Sequence, residues 1–159
     1  LFGMPHAVPE AVGEVTSMAE ATTVSTTTVD LKTLTTNIAV TEGAFVVGNY
    51  RKTAGAAATV SLGLKLNATQ VIANTAAASA TDRIEQGYFV IHIWRQTTNY
   101  KRGGYMQFFN QVGAVTTVLP FDTDAPAAAL TAIVITGLTG NAAVTLGVAD
   151  VAAHKRPTA

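Results

Sequence analysis

The feature that most constrains the fold of this chain is a two-residue period. In residues 59–67 it is unbroken: Val60, Leu62, Leu64 and Leu66 alternate with Ser61, Gly63, Lys65 and Asn67. Successive side chains of a β-strand point to opposite faces, so only an extended backbone gives this segment one apolar and one polar face. The pattern recurs at 29–33, where Val29, Leu31 and Thr33 alternate with Asp30 and Lys32, and at 143–153, where Val144, Leu146 and Val148 share a face. Further strands are expected at 37–41, 44–53, 105–111, 115–119 (closed by Pro120) and 130–136. Glu42-Gly43, Ala54-Gly55-Ala56, residues 98–104 and residues 137–141 supply the turn chemistry between them.

Segments 44–53 and 59–67 read as a hairpin, and residues 68–81, which lack any period, read as a long loop. Segment 88–97 is different, because it is apolar on both sides. Phe89, Ile91 and Ile93 alternate with Tyr88, Val90, His92 and Trp94, which predicts a strand covered on both faces. Strands at this spacing, with no long helix for βαβ units, point to an all-β protein. We expect an antiparallel β-sandwich, jelly-roll-like, of about eight strands.

Residues 1–28 break the pattern. Gly3, Pro5 and Pro9 oppose regular structure at the start. Pro9 can open a short helix over 9–21, with Val8, Val12, Val15 and Ala19 at helical spacing, before a Ser/Thr run at 22–28. The expected organisation is an extended N-terminal arm (1–28) followed by a β-sandwich domain (29–159) that folds without it.

Composition narrows the function. The chain has 159 residues, enough for one domain to bury roughly 70% of its unfolded surface. Ten bases balance ten acids, which argues against a nucleic-acid partner and gives no electrostatic barrier to association. The absence of cysteine excludes disulfides and thiolate metal sites. The best apolar run, 127–138, falls short of the roughly 20 residues a membrane helix needs, so no membrane partner is expected. No basic start leads into an apolar run as a secretory leader would. Abundant Val and Thr with only 13% charge oppose disorder.

Reaction chemistry is equally sparse. His6, His92 and His154 lack metal-ligand spacing, and Asp122 and Asp124 fall short of the six to eight oxygens calcium prefers. None of Ser17, Ser25, Ser61 and Ser79 sits in a nucleophile elbow, and no glycine pattern forms a phosphate loop. The expectation is a non-enzymatic protein with no catalytic residues, metal or cofactor.

Basic and aromatic residues offer the best candidates for an interface. Arg95, Tyr100, Lys101, Arg102 and Tyr105 gather around one turn, and Arg51 and Lys52 follow Tyr50. Tyr and Arg are enriched at protein interfaces, and the same groups can also stack on sugars or bases. The zero net charge is segregated along the chain. Residues 1–50 carry −4, residues 51–110 carry +5, and residues 111–159 carry −1. Glu10, Glu14 and Glu20 of the arm can therefore dock on the basic middle, in their own subunit or a neighbour's.

The Ala/Thr/Val-rich arm and the stretches GYFVIHIWRQ (87–96), YKRGGYMQFFNQ (100–111) and ITGLTGNAAVTLGVADVAAHK (135–155) resemble tailed-bacteriophage virion proteins, especially capsid decoration proteins and head fibres. The resemblance implies a structural homo-oligomer, often trimeric, without a cofactor, bound to a capsid or other virion protein at the capsid surface. In that reading the arm adds a strand to a neighbour. The rings of Tyr88, Trp94, Phe108, Phe109 and Phe121 then anchor the core or an interface. Two other readings stay open. One is an extracellular fibre subunit assembling by strand donation, in keeping with a mature chain that begins at Leu1. The other is a carbohydrate-binding β-sandwich module with Trp94, Tyr100 and Tyr105 as the sugar platform.

Overall fold

Alternation becomes strand across the described residues. The structure, a computed structural model, describes residues 14–53, 56–94, 102–110, 115–123 and 128–156. Eleven strands lie among them: β1 (Glu14–Ser17), β2 (Ala21–Thr23), β3 (Val29–Ile38), β4 (Gly43–Lys52), β5 (Val60–Leu66), β6 (Thr69–Ala78), β7 (Glu85–Ile93), β8 (Gly103–Asn110), β9 (Val115–Asp122), β10 (Leu130–Thr139) and β11 (Leu146–Arg156). They form two antiparallel sheets. The larger runs β1-β11-β4-β7-β8-β9, with β2 also pairing β11, and the smaller runs β3-β10-β5-β6. The chain changes sheet between β2 and β3, β3 and β4, β4 and β5, β6 and β7, β9 and β10, and β10 and β11. This repeated crossing makes the fold a jelly-roll-like β-sandwich.

The core lies between the sheets and is built from one phase of each strand. Val60, Leu62, Leu64 and Leu66 of β5 are buried, as are Val46 and Tyr50 of β4, Phe89, Ile91 and Ile93 of β7, and Ile133 and Ile135 of β10. Gly48 is part of this packing. It sits opposite Phe89, and a Cβ there would run into that ring. The buried Tyr50 hydroxyl donates to the Ala77 carbonyl at 2.7 Å, tying β4 to the end of β6 across the core.

Several local expectations are corrected. Segments 44–53 and 59–67 are not a hairpin. They enter different sheets, because β5 pairs β10 and β6. Residues 69–78 form β6 rather than a loop, and three register shifts with a run of small residues hide its period. Its turn uses Asn67 with φ 54°, a left-handed conformation that Asn tolerates without glycine. The Asn67 side chain accepts from the Thr131 amide at 2.9 Å and donates to the Ala129 carbonyl at 3.1 Å. The phase of β3 also changes. Leu31 falls where the register with β10 slips, and Lys32, Leu34, Thr36 and Ile38 are the buried set beyond it. Strand β9 continues through Pro120, which an edge strand permits.

Where the expected helix at 9–21 is described, residues 14–17 and 21 are strand and residues 18–20 a bend between strands. Glu14–Ser17 pairs antiparallel with His154–Val151 of β11, and Ala21–Thr23 pairs with Val148–Leu146. Gly13, Thr16 and Ser17 weaken a helix, and β11 offers an unfilled edge that satisfies the backbone of these residues. Val15 packs against the core. Residues 14–17 and 21–23 are therefore strands of the sandwich, paired on the β11 edge of their own chain. Deleting residues 1–28 is expected to lower stability in urea denaturation by about 2 kcal/mol or more, through loss of the Val15 burial and exposure of the β11 edge. A truncated chain with an unchanged midpoint would show that the first strands contribute nothing to the fold.

Candidate functional site

The outward phase of the large sheet has no layer over it among the described residues. Cross-strand register arranges it in rows. Asn49, Tyr88 and Phe109 form one row across β4, β7 and β8. Val47, Val90, Gln107 and Val118 form the next, and Phe45, His92, Tyr105 and Pro120 the one beyond. The both-sided apolar strand seen in the sequence is β7. Its Phe89, Ile91 and Ile93 face is buried as expected. The other face is not covered: Tyr88 remains 49% exposed and Trp94 53%, with Val118 and Phe45 exposed beside them.

At one end of this face, four rings meet edge to face. His92 lies 5.5 Å from Tyr105, and 6.5 Å from both Phe45 and Trp94, with interplanar angles between 73° and 90°. Such T-shaped contacts place ring edges against ring faces and hold the cluster in one arrangement. Arg156 reaches the Nε2 atom of His92 from β11. A guanidinium only donates, so this contact favours the neutral imidazole, with Nε2 as acceptor. Burial, followed by repulsion from Arg156, holds the His92 pKa below its ordinary 6.5.

At the other end, a groove of about 690 Å³ runs beside Tyr88. Phe109 stacks on one side of the Tyr88 ring at 4.5 Å and 7°. The opposite neighbour in register is Asn49, whose Nδ2 donates to Asp150 Oδ2 at 3.0 Å. Arg51 and Glu20 form a bidentate ion pair on the far side, with Nη2 to Oε2 at 2.6 Å. The floor is Gly147 and Ala149 of β11. A Cβ at Gly147 would collide with the Glu20 carboxylate and press on Arg51 Nε at 3.2 Å, so the pair can close over β11 only where that residue is glycine.

The interface candidates scatter. Glu20 and Arg51 are brought together, and Tyr105 joins the ring cluster. Lys52 and Arg102 are corrected, because neither lies on a surface: they are 0% and 2% exposed. Lys52 Nζ donates to the carbonyls of Ser79, at 2.7 Å, and Thr81. Arg102 donates to the carbonyls of Glu42 at 2.9 Å and Ala39 at 3.1 Å. Both sit in inward or strand-end positions, where a buried cation is tolerated once its donors are met by backbone oxygens. Glu10, Arg95, Tyr100 and Lys101 lie outside the described residues, and the backbone of Glu14 pairs with His154. Phe108 and Phe121 are core residues, whereas Tyr88 and Trp94 are on the surface.

The groove residues Asn49, Asp150, Gly147 and Ala149 were not singled out by sequence reasoning. Asp150 has φ 54° at a bulge where the β11–β4 register skips from Ala149 to Ala152. Only the acid within the alternating run hinted at it. Among the described residues, no three His, Asp or Glu side chains converge as metal ligands do, and no helix is long and apolar enough to cross a membrane.

Comparison with known proteins gives likeness of form alone. No family model matches the chain, and no curated protein is significantly similar. Among solved structures, an infectious bursal disease virus Gt strain structure is 12% identical with a TM-score of 0.43, over 90% of this chain and 32% of that one. The chain thus spans about a third of that protein. Lectin I-B4 from Griffonia simplicifolia is 9% identical with a TM-score of 0.42, over 97% of both chains. The CBM2 module of the evolved Dit of Lactobacillus casei BL23 phage J-1 is 8% identical with a TM-score of 0.41, over 80% of this chain and 70% of that one.

Two pH effects follow from the charges. His92 favours its neutral form in the folded state, so its contribution to stability is present above the ordinary 6.5 and is lost as pH falls through its lower folded value. Imidazole NMR is expected to give His92 a midpoint below 6.5, and Arg156→Gln is expected to raise it. For Glu85, burial opposes ionisation, but bonds from Ser79, Thr81 and Arg83 outweigh it and hold the carboxyl at about 2. Its stabilisation is therefore complete above 4.5 and lost between there and about 2, and Glu85→Gln is expected to flatten acid denaturation in that window.

Proposed function

We propose that this chain is a non-enzymatic virion structural protein that decorates or cements a capsid, and that it works by lateral contact through the ring-cluster end of its large sheet. The observation that carries this reading is the uncovered face of β4, β7 and β9, where Phe45, Trp94 and Val118 are all exposed on one side of a continuous sheet. Aromatic residues on a flat, rigid support supply large contact area at little entropic cost. The phage-like character of residues 87–96, 100–111 and 135–155 supplies the virion context, and the trimer is the assembly that likeness favours. Strand donation is the less favoured route, because β1 and β2 already pair with β11 of their own subunit.

The test is the mass of the chain in solution. Sedimentation at about 100 μM, where contacts of micromolar affinity are populated, is expected to give a trimer. Replacing both Trp94 and Phe45 with Ser is expected to give a folded monomer, since both rings are exposed and their loss leaves the core intact. A native chain that is monomeric under these conditions, or a double variant that assembles as before, would overturn the proposed contact.

A further inference from the structure

We propose that the groove beside Tyr88 is a binding subsite for one neutral pyranose residue of a glycan. It lies at the opposite end of the outer face from the ring cluster. Tyr88 and Trp94 are six residues apart along the chain, which is about 20 Å in an extended strand. The site therefore does not depend on the assembly contact.

The chemistry is that of a small polar ligand with one apolar face. A pyranose presents axial C–H groups on one side, which pack against the negative face of an aromatic ring, and hydroxyls around its rim. Tyr88 offers such a ring, held upright by Phe109 on its far side and half exposed on the groove side. Around it stand groups that pair with hydroxyls: the Asn49 amide, the Asp150 carboxylate, the Gln86 side chain and the Arg51–Glu20 pair. A carboxylate accepts from hydroxyls in short, charge-assisted bonds, and its partner amide both donates and accepts. A few convergent polar groups beside an apolar wall are the usual makeup of a small-molecule site.

Three structural details keep the groove open and in shape. Gly147 and Ala149 leave the floor low between the Tyr88 wall and the Glu20 wall. The β11 bulge carries Asp150 in a left-handed conformation and aims it outward to Asn49. The Asp150 amide donates to the Met18 carbonyl at 3.4 Å, so the bulge is held by the segment that also brings Glu20 into place. The charges select for a neutral sugar. Arg51 is paired with Glu20, and Asp150 is bonded to the neutral Asn49 amide, leaving the groove net negative and hostile to carboxylated sugars.

The test uses the full chain labelled with 15N and three probes: the methyl pyranosides of glucose, galactose and mannose. At least one is expected to move the amide signals of Gly87, Tyr88, Gly147 and Asp150 saturably, with a dissociation constant on the order of 1–10 mM, the range for one sugar ring. Tyr88→Ala should weaken binding tenfold or more. Ala149→Phe should abolish it by filling the floor without removing a polar group, while Trp94→Ala leaves it unchanged. The methyl glycoside of N-acetylneuraminic acid should not bind. The proposal is overturned if none of the three pyranosides shifts these signals, if the Tyr88→Ala chain binds as well as the native one, or if the acidic sugar binds more tightly. It is also overturned if the same signals move with protein concentration alone, which would assign the groove to a second copy of the chain.

Discussion

Everything in this sandwich depends on keeping the strands in phase across one core. Each strand presents one set of alternate side chains to the space between the sheets, and a one-residue slip would turn that set outward. Phe89, Ile91, Leu62, Leu64, Ile133 and Ile135 meet there in two opposed layers. The chain corrects its phase with bulges rather than with altered composition. One falls at Leu31 in β3. Another lies between Ala149 and Ala152 in β11, where it returns Val151 and Ala153 to the core after Val148. The second bulge has a double consequence: the residue it expels is Asp150, which becomes a wall of the outer groove. Core register and site geometry are thus set by the same backbone irregularity.

Charge segregation along the chain resolves inside one subunit. Glu20 pairs with Arg51 and Asp30 with Lys65, each joining the acidic first third to the basic middle, while Glu42 pairs with Lys155 at 2.8 Å. Exposed pairs of this kind contribute about 0–1 kcal/mol each, so they do little for total stability. Their effect is on register. Glu20 fixes the short segment between β1 and β2 over Gly147, and Glu42, bonded to both Lys155 and the Ala39 amide, fixes the turn between β3 and β4.

Legibility followed side-chain size. Segment 60–66, with four large aliphatics in strict alternation, could be read to the residue, and so could the buried face of β7. Segment 69–78 could not, because Ala and Thr barely distinguish the two faces and the bulges break the count. The hairpin assignment for β4 and β5 failed for a different reason: a Gly/Ala-rich link looks the same whether it reverses within a sheet or crosses between sheets. From Glu14 onward, the helical preference of 9–21 was overridden by an available edge. For the site, the apolar outer face of β7 was visible as residues but misread as covered. Whether a second layer exists is a property of the whole topology, which no single strand records. Lys52 and Arg102 were misplaced because a basic residue at a strand end looks identical whether it reaches solvent or caps carbonyls.

The edges of the sheets decide how such a subunit can meet another protein. A long regular edge invites strand addition, but among the described strands each edge is blunted. The large sheet ends in β1 and β2, of four and three residues, on one side and in β9 on the other. Strand β9 contains Pro120, which has no amide hydrogen to offer a neighbour. The small sheet ends in β3 and β6, and each pairs through an irregular register that bends the strand away from a straight ladder. With backbone pairing disfavoured at these edges, the proposed association is one of side chains on a face. The outer face of the large sheet is where Phe45, Tyr88, Trp94 and Val118 lie exposed together. The same feature that disfavours strand-by-strand aggregation therefore favours the proposed contact at that surface.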